Sequence, residues 1–207
     1  MATETYYQFS SSKKERIMEA MIDEFSAVSF SLASINKIIK QAKISRGSFY
    51  QYFKDKEDCY LEMLKQIAQE KMELFKDVVA LEPEASVFDH YMHMINQIEI
   101  WMLKRPKYFK VSMHADFDKS DFIQKLSVDQ PDLGNYFLQL IKNDIKRGII
   151  KESTDPQLLS DVLNSINKSL LLDYFKKEDY QGMSLKTESI LAIIKNGVLN
   201  PLGEKHV

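Results

Sequence analysis

The sequence predicts an all-α protein, and three observations carry that reading. Glycine and proline are scarce, six and five in 207 residues. Apolar side chains recur at helical rather than alternating spacing. The prolines Pro83, Pro106, Pro131 and Pro156 stand 23, 25 and 25 residues apart, each gap the size of one helix and its connection. A sandwich, barrel or doubly wound sheet needs a turn every few residues, and so few breakers cannot supply them. With 44% apolar residues, the chain can bury a core in one large domain or two modest ones.

Taken in order, a first helix from Ser11 to Ser26 places Ile17, Ala20, Met21 and Phe25 on one stripe. A second, Ser34 to Ala42, opens on Ser34 as N-cap and turns Ile35, Ile38 and Ile39 inward. After a short turn at Lys43-Ile44, Ser45 caps a third, brief helix with Phe49 and Phe53 on its buried side. Asp55-Lys56-Glu57 opens a long fourth helix, which runs to Ala80 with Tyr60, Met63, Leu64 and Ile67 in its stripe. Helices follow over Ala85–Lys104, Pro106–His114, a short stretch within Lys119–Val128, and Pro131–Arg147, closed by Gly148. The last two run from Pro156 to Phe175 and from Ser184 to Asn196, where Gly197 is expected to stop the chain's final helix.

Several classes drop out. No run approaches 18 consecutive apolar residues, so no membrane partner is expected. Met1 to Ser10 has neither a basic segment nor an apolar run, so no secretory signal is read there. A lone Cys59 cannot form an internal disulfide and fits a reducing compartment. A cytoplasmic location is expected.

The charge is unevenly spread. The net value is −2, yet residues 31–56 hold Lys37, Lys40, Lys43, Arg46, Lys54 and Lys56 against Asp55 alone. A basic module on an acidic remainder offers one face to a polyanion. The pattern under the charge agrees. Two short helices joined by a tight turn form a helix-turn-helix, whose second helix must be thinly covered to enter a major groove. Ser45 and Ser48 are small donors at its start, and Arg46 can pair bidentately with guanine. Gly47 is the one glycine before Gly134. It is needed either for a positive φ or for close approach to something.

The segment Lys13 to Tyr60 resembles the N-terminal domain of TetR-type (tetracycline-repressor-like) transcriptional regulators. The resemblance lies in Ile17 to Phe25, Ser34, Ile38-Ile39, Ile44-Ser45, Arg46, Gly47, Ser48, Phe49-Tyr50, Tyr52-Phe53 and Lys56-Glu57. Three positions depart from the family pattern: Ser29 and Lys43 stand where glycine is usual, and Ile39 where alanine is. Lys43 then either takes a left-handed turn at some cost or the turn differs slightly from the family's, and its charge does no harm beside DNA. The resemblance implies that Ser34, Ser45, Tyr50, Tyr52 and Lys56 hold phosphates and fix register. It implies that Arg46 and Ser48 read bases, that Gly47 lies at the surface, and that Gln51 reaches a base or phosphate.

The implied organisation is a helix-turn-helix DNA-binding domain over residues 1–56 and a helical effector-binding and dimerisation domain over 57–207. Expected partners are a pseudo-palindromic double-stranded DNA operator, a second copy of the chain and a small, mainly apolar effector. The dimer interface is placed on Leu159, Val162, Leu163, Ile166, Leu170, Ile190, Ile193 and Ile194, although much of that stripe must be intramolecular core. Effector candidates are His90, Met94, Trp101, Phe109, Met113, Phe117, Phe122, Tyr136 and Phe137. His90 and His93 share a helix, but nothing fixes a third ligand, so no metal is expected. There is no nucleophile–base pair, Gly-rich phosphate loop or paired-carboxylate signature, so neither cofactor nor catalysis is expected. The expected activity is that of a repressor released from DNA by its effector. The alternative is a helical carrier or interaction module with a vestigial helix-turn-helix.

Overall fold

The structure, a computed structural model, describes residues 2–8, 10–82, 84–126 and 133–200. Among the described residues the architecture is all-α, an N-terminal helix-turn-helix domain followed by a helical C-terminal domain, with a single isolated bridge, Ile150 to Leu199. None of these helices is long and apolar enough to cross a membrane. The chain divides into two compact units, Met1–Lys71 with Lys104–Asp129, and Met72–Leu103 with Gln130–Val207.

The first unit contains α1 (Glu4–Tyr7), α2 (Ser11–Ala27), a 3-10 turn (Phe30–Leu32), α3 (Ile35–Gln41) and α4 (Arg46–Tyr52). The start of α5 (Lys56–Val79) belongs to it, with α7 (Pro106–Phe117) and α8 (Asp121–Gln124). Its centre is the expected apolar stripes: Ile17, Met21, Phe25, Ile38, Phe49, Phe53 and Tyr60 are all buried. Helix α7 packs along α2. The end of α7 and the residues after it hold the corner that leads into α3. Asp118 accepts hydrogen bonds from the backbone N–H groups of Ser31 (2.9 Å) and Ser120 (2.8 Å). The His114 Nε2 lies 3.2 Å from the Ser26 carbonyl, and Phe122 tilts onto Phe30 with centroids 4.6 Å apart. Burial opposes ionisation of Asp118, but the bonds from Ser31 and Ser120 outweigh it and hold its carboxyl below the usual range.

The second unit contains α6 (Val87–Lys104), α9 (Leu133–Lys146), α10 (Pro156–Lys177) and α11 (Met183–Val198). Helix α9 packs on α10, and the Tyr91 hydroxyl of α6 donates to the Leu163 carbonyl of α10 at 2.9 Å. Asp155 caps α10, accepting from the N–H groups of Gln157 and Leu158, with Pro156 at the favoured first position. Gly148 takes φ +74°, the left-handed close expected after α9.

Three expectations change. Residues 4–7 form a helix that the sequence pattern did not indicate. The short helix expected within Lys119–Val128 is one turn, Asp121–Gln124, capped by Ser120. Gly197 does not stop α11, which runs on to Val198. Its end comes at Leu199, whose extended backbone pairs with Ile150 while the Lys151 N–H donates to the Val198 carbonyl at 2.8 Å. A helical glycine costs only about 1 kcal/mol, so Gly197 is tolerated inside the last turn. The expected start of α9 at Pro131 lies outside the described residues, as do Pro83 and Pro201.

Candidate nucleic-acid interface

The turn between α3 and α4 is built from backbone hydrogen bonds. The Ile44 N–H reaches the Ile39 carbonyl (3.2 Å) and the Lys43 N–H reaches that of Lys40 (3.3 Å). These are the two bonds of a Schellman close, with Lys43 at the left-handed position, φ +52°. Helix α4 then starts from Ser45, whose backbone is extended and whose Oγ accepts from the Ser48 N–H at 3.0 Å. The two hydroxyls of Ser45 and Ser48 lie 2.8 Å apart.

Helix α4 has two sharply different faces. Phe49, Tyr52 and the following Phe53 are buried, whereas Ser45, Arg46, Gly47, Tyr50 and Gln51 are exposed. Gly47 has an ordinary helical φ, and a Cβ added there would meet only the Ser45 Oγ at 3.8 Å. Neither backbone strain nor internal crowding asks for glycine. Of its two sequence explanations, positive φ is removed and close approach from outside remains.

Arg46 is held on this surface. Its Nη1 donates to the Asn36 Oδ1 at 3.1 Å, and its guanidinium lies 5.7 Å from the centre of the Tyr50 ring. Sequence reasoning missed Asn36, an exposed polar residue of α3 whose only signal is its pairing across the turn. Lys37, Lys40 and Lys43 are exposed beside it.

Other residues implied by the resemblance have internal work. The Lys56 ammonium donates to the carbonyls of Phe30 (2.8 Å), Ala33 (3.2 Å) and Ser31 (3.3 Å), fastening the 3-10 turn before α3. Tyr52 is buried, and its hydroxyl accepts from the Lys13 ammonium at 2.9 Å. Ser34 makes no side-chain cap bond; its N–H donates to the Glu24 Oε1 at 2.8 Å.

The effector candidates divide between the units. Phe109, Met113, Phe117 and Phe122 lie in the first, Phe109 and Met113 buried and Phe117 exposed. His90, Met94, Trp101, Tyr136 and Phe137 lie in the second. Three of these come together: the Tyr136 hydroxyl and His90 Nδ1 are 2.9 Å apart, and the Tyr136 and Phe137 rings are 5.4 Å between centres. His90 Nδ1 is also 3.0 Å from the Val78 carbonyl. Met94 and Trp101 are buried in the same unit. An open groove of about 1140 Å³ in the first unit, between Met18, Ile22, Gln66 and Tyr108, contains none of the candidates. Its walls are charged, which suits the apolar expectation poorly, and some of those charges pair within it, as Lys65 with Glu62 at 3.4 Å and Lys107 with Asp23.

Along α10 and α11 the stripe splits. Leu159, Leu163 and Leu170 are buried within the unit, and Ile166, Ile190 and Ile194 are half-buried. Val162 is exposed and Ile193 is 75% exposed, joined by Leu158 at 62% and Leu185 at 69%.

Comparison with known proteins agrees with the resemblance. Residues 17–63 match the family model described as bacterial regulatory proteins, tetR family. The uncharacterized HTH-type transcriptional regulator YhgD of Bacillus subtilis is 23% identical over 194 residues, covering 92% of this chain and 96% of that one. A TetR family transcriptional regulator from Chloroflexus aurantiacus superposes with a TM-score of 0.71 at 24% identity, covering 97% of this chain and 100% of that one. The regulator FadR of Bacillus subtilis, in complex with stearoyl-CoA, gives a TM-score of 0.69 at 18% identity over 88% of this chain and 98% of its own. At these identities the structural likeness establishes the fold.

Proposed function

We propose that this chain, whose residues 17–63 match the model of the tetR family of bacterial regulatory proteins, is a homodimeric, cytoplasmic DNA-binding regulator, a repressor released from its operator by a small, mainly apolar effector. The observation that carries the DNA-binding part is the exposed face of α4. There a hydroxyl cap, an arginine held in place and a glycine with no internal reason to be glycine stand together. In this reading Arg46, Ser48 and Gln51 address base edges. Ser45, Tyr50 and Lys43 contact phosphates, and Ser34, Tyr52 and Lys56 act at one remove, by fixing the elements that bear them.

Function is assigned to residues 1–56 for DNA and 57–207 for effector and dimer. One short reading helix buries too little surface to bind strongly, whereas two copies about 34 Å apart meet successive turns of the major groove. The exposed Leu158, Val162, Leu185 and Ile193 supply an apolar face for the second copy. The stearoyl-CoA bound by FadR supports an effector with a long apolar part, and its proposed surroundings are Met94, Trp101 and Phe137, which are buried in the second unit. Effector binding then favours a state whose reading helices miss the half-site spacing. A coupling of about 1–3 kcal/mol would change operator affinity about 5–150-fold.

The test is a salt-dependent gel shift on DNA upstream of the protein's own gene, with wild type and Arg46→Ala. Arg46→Ala is expected to cost about 1–3 kcal/mol on the operator and to relax preference at one base position. Equal losses on operator and scrambled DNA would reduce Arg46 to a phosphate contact. No salt-sensitive binding to any DNA would overturn the reading.

A further inference from the structure

We infer that residues 2–7 are a clamp that fixes the C-terminal end of the reading helix, with Thr3 as its positioning residue; this rests on the DNA-binding reading of α4. A helix of seven residues is too short to persist on its own propensity. Its last carbonyls have no partners within the helix. For α4, Phe53 closes onto the Phe49 carbonyl at 2.9 Å. The next demands are met from 48 residues away: the Thr3 hydroxyl donates to the Gln51 carbonyl at 2.7 Å, and the Thr3 N–H donates to the Tyr52 carbonyl at 2.9 Å.

The rest of the segment anchors Thr3. Ala2 is buried, and so is Tyr6, with its ring centre 5.0 Å from that of Phe53. Beyond it the Tyr7 hydroxyl donates to the Glu62 carboxylate of α5 at 2.6 Å, and the Lys14 ammonium of α2 donates to the Tyr7 carbonyl at 2.6 Å. Burial and the Glu62 carboxylate push the Tyr7 phenol up to about 12. The reading helix is thus fastened at its start by Ser45 and at its end by Thr3, and the residues between, Tyr50 and Gln51 included, lie on a helix held at both ends.

The segment is not itself a DNA-binding arm. Such arms work through arginine or lysine in the minor groove, and residues 2–7 carry one charge, that of Glu4. Its contribution is geometric, which makes it separable from charge.

Thr3→Pro tests this in the full-length chain. Proline fits the Thr3 φ of −76° and removes both donors together. Amide hydrogen exchange should show α4 losing about tenfold in protection, with the second unit unchanged. Operator affinity should fall about tenfold while affinity for scrambled DNA stays within about twofold. Thr3→Ser, which keeps both donors, should match wild type, and Thr3→Val, which keeps one, should fall between. The clamp is refuted by unchanged protection of α4 in Thr3→Pro, by an equal loss of protection in both units, or by equal losses on operator and scrambled DNA. If wild type binds no DNA, the DNA-binding reading fails while the exchange result still decides whether Thr3 clamps α4.

Discussion

The N-terminus of α4 in the first unit and that of α11 in the second present the same orphan N–H groups, yet they are closed by opposite chemistry. Helix α4 begins on the neutral Ser45 hydroxyl. Helix α11 begins on an ionised carboxylate: Glu99, from α6, accepts from the N–H groups of Gly182 (2.5 Å), Ser184 (2.8 Å) and Met183 (3.2 Å). Asp155 does the same for α10. A carboxylate cancels the partial positive charge at a helix start, which is favourable where the end stays inside the protein. A hydroxyl satisfies one N–H and leaves the positive end available to an outside anion. Between α4 and α11 the cap therefore differs with its surroundings: a neutral hydroxyl on the exposed start of α4, a carboxylate on the part-buried start of α11.

Glu99→Gln gives the largest expected effect on this contrast. It replaces a charged acceptor of three backbone donors and should cost about 1.5–3 kcal/mol of stability. Burial opposes ionisation of Glu99, but the bonds from Ser184, Gly182 and Met183 outweigh it and hold its pKa below the usual value. Its stabilisation is therefore complete above the ordinary glutamate pKa and is lost as pH falls through the lowered, folded-state value. Asp144 runs the other way. Burial pushes its carboxyl up, against the 2.7 Å bond from the Val87 N–H and the nearby Arg147. Its contribution is complete below the ordinary aspartate pKa and is lost as pH rises through the raised value. Denaturant unfolding from about pH 3 to 7 should show Glu99→Gln flattening the acid-side loss and leaving the Asp144 trend. A variant as stable as wild type across that range would remove Glu99 from the account.

Ser45→Asp moves the second unit's chemistry onto α4. Aspartate caps as well as serine, so thermal stability should change by less than about 0.5 kcal/mol. The added charge faces phosphate, and affinity for every DNA sequence should fall by about 1–2 kcal/mol, more at low salt than at high. Fluorescence anisotropy at two salt concentrations reads both. Binding unaffected by the new carboxylate would mean that this helix start does not meet DNA.

What was legible in the sequence follows the same division. The α3–turn–α4 element is specified within a few residues: Ser45 caps the helix it precedes, and Phe49 and Phe53 recur at one turn, so the pattern announces the structure. Bonds between distant residues leave no such trace. Asp118 secures Ser31 across 87 positions, and Thr3 secures Gln51 across 48. Lys56 reads as a free cation in the sequence because its three carbonyl partners are backbone atoms that any residue would supply. Periodicity also tells that a side chain is buried without telling against what. Phe109 and Phe137 look alike in the sequence, yet they belong to different units.

The smallest expected effect concerns the turn before α4. Lys43 occupies the left-handed position of a Schellman close, φ +52°, which costs a side-chain-bearing residue about 1–2 kcal/mol. Lys43→Gly removes that cost but frees the unfolded chain, so the net gain should be about 0.5–1 kcal/mol, read as a small rise in Tm. The same change deletes an exposed positive charge beside the reading helix. If Lys43 meets a phosphate, the slope of log affinity against log salt should flatten by about one unit. Stability and DNA affinity then move in opposite directions from a single substitution. Ser45→Asp changes binding at constant stability and Glu99→Gln changes stability through a charge, so Lys43→Gly is the substitution that places a backbone cost and a binding charge at one residue. A fall in Tm would show that the left-handed turn is not strained. An unchanged salt slope would place the lysine outside the DNA contact and leave its strain without a functional return.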